Sequence, residues 1–227
     1  MCARSDALIV KPRSHPIAAK PRYRTMPEIC SPCSYSPEGS AALSKTVLNV
    51  GCGYPLRQKL HRHFHGPEWR EIRLDLDPAV QPDIVSSITD MSPVNADSVD
   101  AVWSSHNLEH LQRHQVPLAL TEFLRVLKPH GLLLLTLPDL QQVARLIVED
   151  RLEESAYVSQ SGPITPLDMI FGHTASLARG NGYMAHRTGF TARSLHKLLV
   201  DAGFVEVTLR QGTSFDLWAT SYKPARG

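Results

Sequence analysis

The run Thr46-Val47-Leu48-Asn49-Val50-Gly51-Cys52-Gly53 constrains this chain more than any other stretch. Its apolar, β-branched residues read as a buried strand, and the two glycines read as a tight turn at its end. Glycine reaches backbone conformations closed to other residues and lets a ligand approach the main chain, with amides pointing outward. Further strands are expected at residues 71–75, 83–86, 99–104 and 132–137, and two closing strands at 204–209 and 215–221. Helical spacing is expected over 56–64 and through Val116, Leu120, Phe123, Leu124 and Leu127, where Lys128-Pro129-His130-Gly131 would stop the second helix. Thr191 can cap a further helix carrying Leu195, Leu198 and Leu199, with Gly203 as its stop. The alternation predicts a doubly wound α/β fold with an open, mostly parallel sheet and helices on both faces.

Ligands of such sheets bind at the carboxyl ends of the strands. Asp75 stands at the end of the second strand, and a carboxylate there can accept two hydrogen bonds from a ribose diol. A nicotinamide-type Rossmann oxidoreductase shares that arrangement but wants a third glycine, and position 56 is Leu.

Composition narrows the reading. The formal net charge of the 227 residues is +2, but residues 1–25 hold six Lys and Arg against Asp6 alone. The other residues have 18 basic and 21 acidic side chains, a balance of −3, which weakens a nucleic-acid reading. Prolines recur every four to six residues between Pro12 and Pro37. Residues 1–44 are therefore expected to form a basic, Pro-rich, disordered tail, and Met26 is a second candidate start. Cys30 and Cys33 lie in that tail, where a zinc or redox role is not expected. No apolar run approaches a membrane span, and four cysteines suit a reducing, cytoplasmic setting.

Four segments in order carry a family resemblance. They are Val47 to Gly53, Leu74-Asp75-Leu76-Asp77-Pro78, Ser98 to His110, and Arg125-Val126-Leu127-Lys128-Pro129-His130-Gly131. Together they resemble class I S-adenosylmethionine-dependent methyltransferases over about residues 45–140. The resemblance implies a seven-stranded, mostly parallel sheet with an antiparallel C-terminal strand, filling residues 45–227. It implies S-adenosylmethionine as cofactor. Gly51 and Gly53, with Cys52 between them, would line the methionine moiety, and Asp75 would bind the ribose with Leu76 against the adenine. Asp90 would accept from the adenine amine and Met91 would cover its face. Ser104 to His106 would form the wall beside the sulfonium and the methyl acceptor. Asn49 replaces the family's usual acid, so it can orient water or an amine but offers no charge.

Residues 139–190 read as a helical, lid-like insertion on the substrate side. His106, His173 and His186 are the candidate general bases, because an unperturbed imidazole titrates near neutrality. The acceptor is expected to be a small molecule or a saccharide-like compound. A cofactor-binding protein without transferase activity is the alternative that Asn49 keeps open. His106-Asn107-Leu108-Glu109-His110 also fits the H-x-x-E-H pattern of zinc peptidases. That chemistry needs a long helix and a third protein ligand, and Leu-Glu-His is common in the resembled segment, so no metal ligand is assigned. His61, His63 and His65 read as a solvated helix end rather than a metal nest.

Overall fold

The structure, a computed structural model, describes residues 44–55 and 60–225. The expected tail, Cys30 and Cys33, and residues 56–59 of the first expected helix lie outside the described residues.

One sheet organises the chain. Strand β1 (Lys45–Val50) lies at its centre, paired in parallel with β2 (Trp69–Asp75) on one side and β4 (Val99–Ser105) on the other. Beyond β2 lies the short β3 (Ile84–Val85), and beyond β4 lies β5 (Leu127–Pro138). Two closing strands, β8 (Val205–Gln211) and β9 (Asp216–Tyr222), complete the order β3-β2-β1-β4-β5-β9-β8. Strand β9 runs antiparallel to both neighbours, so six strands share one direction. This is the seven-stranded, mostly parallel sheet that the resemblance implies.

The pleat explains why the central strands are apolar throughout. Successive side chains point to opposite faces, and in β5 Leu133, Leu135 and Leu137 enter one core while Leu132 and Leu134 face the other. The larger core is closed by helices α1 (Val116–Val126) and α5 (Ala192–Asp201). In α1, Val116, Ala119, Leu120, Phe123 and Val126 keep the helical spacing and are fully buried. The opposite face is covered more thinly. Val47, Ala101, Trp103, Leu134 and Phe64 form its core, and Trp103 stacks on Trp218 at 5.9 Å.

Three expectations change. Strand β5 starts at Leu127, because Leu127 pairs with Val99 as soon as α1 ends, so the Lys-Pro-His-Gly stop lies inside the strand. Within the described part of 56–64, the only helical element is one 3-10 turn, Arg62–Phe64. His61 is not a solvated end. It caps that turn and packs 5.3 Å and 5.4 Å from the rings of Trp103 and Trp218, where burial lowers its pKa. The β2–β3 link holds only a 3-10 turn, Pro78–Val80, capped by Asp77.

Residues 139–190 form a separate layer between β5 and α5. Helix α2 (Leu140–Val148) leads to a hairpin of β6 (Tyr157–Ser159) and β7 (Gly162–Ile164), which the sequence did not disclose. Helices α3 (Pro166–Phe171) and α4 (Thr174–Ala178) follow. Val143, Ile164 and Met169 give this layer its own small core. Its two ends meet where Asp139 bridges Phe190, and the Asp139 carboxylate, wholly buried, caps α2 and accepts from Gln211 at 2.7 Å. Among the described residues no helix is long and apolar enough to cross a membrane.

Candidate active site

The loops after β1, β2 and β4 emerge side by side, since Val50 pairs with both Leu74 and Ser104. After β1, Gly51 and Gly53 both take a φ of +62°, a left-handed conformation that disfavours side chains. The Cys52 amide continues the ladder to Leu74 at 3.2 Å. The Gly53 amide donates to Asp75 Oδ2 at 2.9 Å, and Asp77 N donates to Oδ1 at 3.0 Å. Asp75 is therefore held rigidly beside the glycine turn, with lone pairs to spare on both oxygens. Leu76, next to it, is 52% exposed.

Arg73 was not anticipated. Its Nη2 donates to Gly53 O at 2.6 Å and to Val80 O at 3.2 Å, and its Nη1 donates to Gln81 O at 2.8 Å. One guanidinium thus braces the glycine turn against the link after β2. A single Arg on a half-polar strand gives no signal of this in sequence.

The other cofactor candidates divide. Asn49 is buried, and its Nδ2 donates to Glu71 Oε1 at 2.7 Å, so its amide ties β1 to β2. Cys52 is a buried free cysteine whose thiol pKa burial pushes up to about 11. Asp90 is exposed and accepts from Ser92 N. Met91 departs from its expected place over an adenine. Its side chain is wholly within the main core, its amide donates to Glu122 Oε2 at 2.6 Å and its carbonyl accepts from Arg125. Alternation along a loop could not tell a core anchor from a ligand contact there.

After β4 the chain turns sharply. Ser104 is buried, and His106 has a φ of +49° with its amide on Thr136 O. Asn107 lies against the first glycine, such that a Cβ on Gly51 would stand 2.7 Å from Asn107 Nδ2. Leu108–His110 is a 3-10 turn, not the helix that an H-x-x-E-H zinc motif requires. His106 and His110 therefore do not act as an i, i+4 pair.

A different group assembles. Glu109 is 1% exposed, and neither carboxylate oxygen receives a well-formed hydrogen bond, though His106 Nδ1 stands 3.2 Å from Oε1. His110 Nδ1 donates to Ala185 O at 3.1 Å, and His186 Nδ1 donates to Met169 O at 3.0 Å. Their rings meet edge to face with centroids 4.9 Å apart. One ligand atom from each of Glu109, His110 and His186 lies within 4.8 Å of the others. The Glu109 carbonyl accepts from Arg187 N and Thr188 N, which docks the inserted layer onto this turn. Burial lowers the His186 pKa and keeps that ring neutral near pH 7. Burial pushes Glu109 up, but the close His106 ring and the fields of His106, His110 and His186 outweigh it, so its pKa falls below the usual range. His173 stands outside this group. It caps α4, and its Nδ1 lies 2.8 Å from Ser176 Oγ.

Residues 48–135 match the family described as a methyltransferase domain. Solved structures share the fold at low identity. One is an S-adenosylmethionine-dependent methyltransferase of Methanosarcina mazei, at 15% identity and a TM-score of 0.53, covering 81% of this chain and 94% of that one. An exported-protein candidate from Bordetella parapertussis is similar at 17% identity and a TM-score of 0.53, over 80% of this chain. The match spans 62% of the Bordetella protein's length, less than two thirds. A chain from the complex of the Haloferax volcanii Trm112 methyltransferase activator with a methyltransferase aligns at 15% identity and a TM-score of 0.51, covering 80% of this chain and 83% of that one. No curated protein matches the sequence.

Proposed function

Since residues 48–135 match a methyltransferase-domain family and the sheet shares the fold of a solved methyltransferase, we propose that the chain transfers a methyl group from S-adenosylmethionine to a small-molecule or saccharide-like acceptor. The observation that carries this reading is the unit formed by the glycine turn and Asp75, braced by Arg73 at the carboxyl edge of the sheet. Asp75 would accept from the ribose hydroxyls, with Leu76 beside the adenine. The turn of Gly51 and Gly53 would admit the methionine moiety close to the main chain. The cofactor supplies a methyl group already activated on a sulfonium.

The protein then has to orient a nucleophile and exclude water, which is worth ~7–11 kcal/mol when well done. His106 is the base we assign, half-exposed at the end of β4 and adjacent to Ser104 and Ser105. A base adds a further ~10²–10⁴-fold. His173 receives no role, because its ring is engaged within its own helix. The balance of −3 outside residues 1–25 supports an uncharged or cationic acceptor over a polyanion. The sparse cysteines and the free Cys52 thiol support a reducing, cytoplasmic setting.

Calorimetry with S-adenosylhomocysteine and NAD, followed by labelled-methyl transfer into a metabolite extract, tests the proposal. Binding of the sulfur nucleotide and label in small molecules are expected. Tight NAD binding without a response to S-adenosylhomocysteine would overturn the reading, and binding with no transfer to any pool would reduce it to a cofactor-binding protein.

A further inference from the structure

We propose that Glu109, His110 and His186 form a binding site for a divalent first-row transition-metal ion. The proposal is independent of the methyltransferase reading. It rests on three observations about these side chains.

The first is position. A carboxylate and two imidazoles, from a turn after β4 and from a loop about 75 residues later, bring ligand atoms within 4.8 Å of one another. Bonds of about 2.0–2.2 Å to such ligands ask for only a small inward shift of these side chains.

The second is the tautomer. Both rings spend Nδ1–H on a main-chain carbonyl, His110 on Ala185 and His186 on Met169. A carbonyl only accepts, so each neutral ring keeps its free lone pair on Nε2. Metal-bound histidines are oriented in this way, with the second ring nitrogen donating to a carbonyl or carboxylate.

The third is the unmet need of Glu109. Its carboxylate is 1% exposed, yet neither oxygen has a well-formed hydrogen bond. An ionised group in that state is costly to bury unless it is paired or coordinates a metal. The His106 ring at 3.2 Å, itself 49% exposed, meets only one of the two oxygens. The Glu109 carbonyl meanwhile holds Arg187 N and Thr188 N at 2.8 Å and 3.2 Å, which fixes the segment bearing His186 against the turn. The frame is therefore built before any ion arrives.

Two imidazoles with one carboxylate suit Zn²⁺, Fe²⁺ or Co²⁺ better than Mg²⁺ or Ca²⁺, which prefer all-oxygen shells. Three protein ligands also leave coordination positions open to a further ligand.

The test uses the full chain, stripped with chelator and titrated with Zn²⁺, Co²⁺ and Mg²⁺ by calorimetry, with thermal melts alongside. One Zn²⁺ or Co²⁺ per chain is expected, with a raised melting temperature and no comparable response to Mg²⁺. Glu109→Gln keeps the shape of the side chain, and it should weaken Zn²⁺ by more than about 100-fold, beyond the ten- to hundredfold typical of outer-shell partners. His186→Asn should do the same, whereas His196→Ala, at an exposed position on α5, should not. The Co²⁺ spectrum separates this site from the cysteines, because nitrogen and oxygen ligands give no thiolate charge-transfer band. No stoichiometric ion, thiolate bands, or an affinity unmoved by Glu109→Gln in a folded variant would each overturn the proposal.

Discussion

The glycine turn after β1 and the histidine pocket after β4 sit on adjacent strands of one sheet, but they are made differently. The turn is a main-chain device. Its functional groups are amides and carbonyls of consecutive residues, fixed by positive φ angles and by two side chains, Asp75 and Arg73, on the neighbouring strand. All of it falls within about 25 residues. The pocket is a side-chain device. Glu109 and His110 meet His186 only because the inserted layer folds back and hangs Arg187 and Thr188 on the Glu109 carbonyl. The difference teaches that a site built from backbone geometry shows in a short sequence window. A site built from converging side chains needs the tertiary fold.

If the turn is a braced main-chain unit, the brace should matter most. Arg73→Met keeps the stem and removes a fork that serves three carbonyls. Hydrogen bonds to charged groups are worth about 1.5–3 kcal/mol each. With partial solvent rescue of the exposed carbonyl, we expect a loss of about 3 kcal/mol in chemical denaturation. Arg73→Lys should recover little of it, since an ammonium cannot reproduce the planar fork. Next comes Asp75→Ala, expected to weaken S-adenosylhomocysteine by ~1.5–3 kcal/mol in calorimetry. An unchanged dissociation constant would show that Asp75 serves only Gly53 and Asp77, and the turn would lose its claim to be the cofactor half of the site.

The same contrast explains what was readable from sequence. The mostly parallel sheet follows from runs that are apolar on both faces, such as Leu133 to Leu137, whereas the antiparallel β9 is what the family resemblance implies and the strand order needs the tertiary fold. Asp75 was visible because strand, turn and carboxylate keep fixed spacing along the chain. Met91 was misplaced because a loop has no periodicity to say which side faces the core. Glu109 and His110 lie in an H-x-x-E-H pattern to which the sequence assigns no metal. The H-x-x-E-H reading presupposes a helix, and the chain makes a 3-10 turn that sends His106 and His110 to different partners. His186 was chosen as a base for its chemistry alone, and nothing local tied it to residues about 75 positions earlier.

The pocket side should be the more sensitive to acid. Asp168 accepts from Thr165 N, Thr165 Oγ1 and Thr174 N, joining α3 to α4 directly beside the Met169 carbonyl that orients His186. Burial alone would raise its pKa, but the hydrogen bonds from Thr174 and Thr165 overcome that and bring it down to about 2 from 3.8. A folded-state pKa below the unfolded one adds stability that is complete above the unfolded value and vanishes as pH falls through the folded value. We expect about 2 kcal/mol at neutral pH, with roughly half gone by pH 3. Denaturant titrations at pH 6 and pH 3 should show this loss in the wild type and not in Asp168→Asn. Equal acid sensitivity of the two proteins would remove Asp168 from the account.

The smallest expected effect tests whether the two regions are separate at all. Asn107 touches both, since its side chain lies against Gly51 and it opens the turn that carries Glu109. Gly51→Ala places a side chain at a φ of +62° and sets its Cβ 2.7 Å from Asn107 Nδ2. The left-handed conformation alone costs about 1–2 kcal/mol. Asn107 Nδ2 is buried without a hydrogen-bond partner, so Asn107→Ala discards an unpaired amide as well as some packing, and should stay within about 0.5 kcal/mol of the wild type. In the double variant the collision disappears while the backbone strain stays. The cycle should therefore show a relief of about 1 kcal/mol, in the range found for residues in contact. Additivity within about 0.3–0.5 kcal/mol would mean that Asn107 moves aside freely and that the glycine turn and the histidine pocket are mechanically independent. Measurable relief would mean that a ligand pressing on the turn is felt, through one amide, at the base of the Glu109 turn.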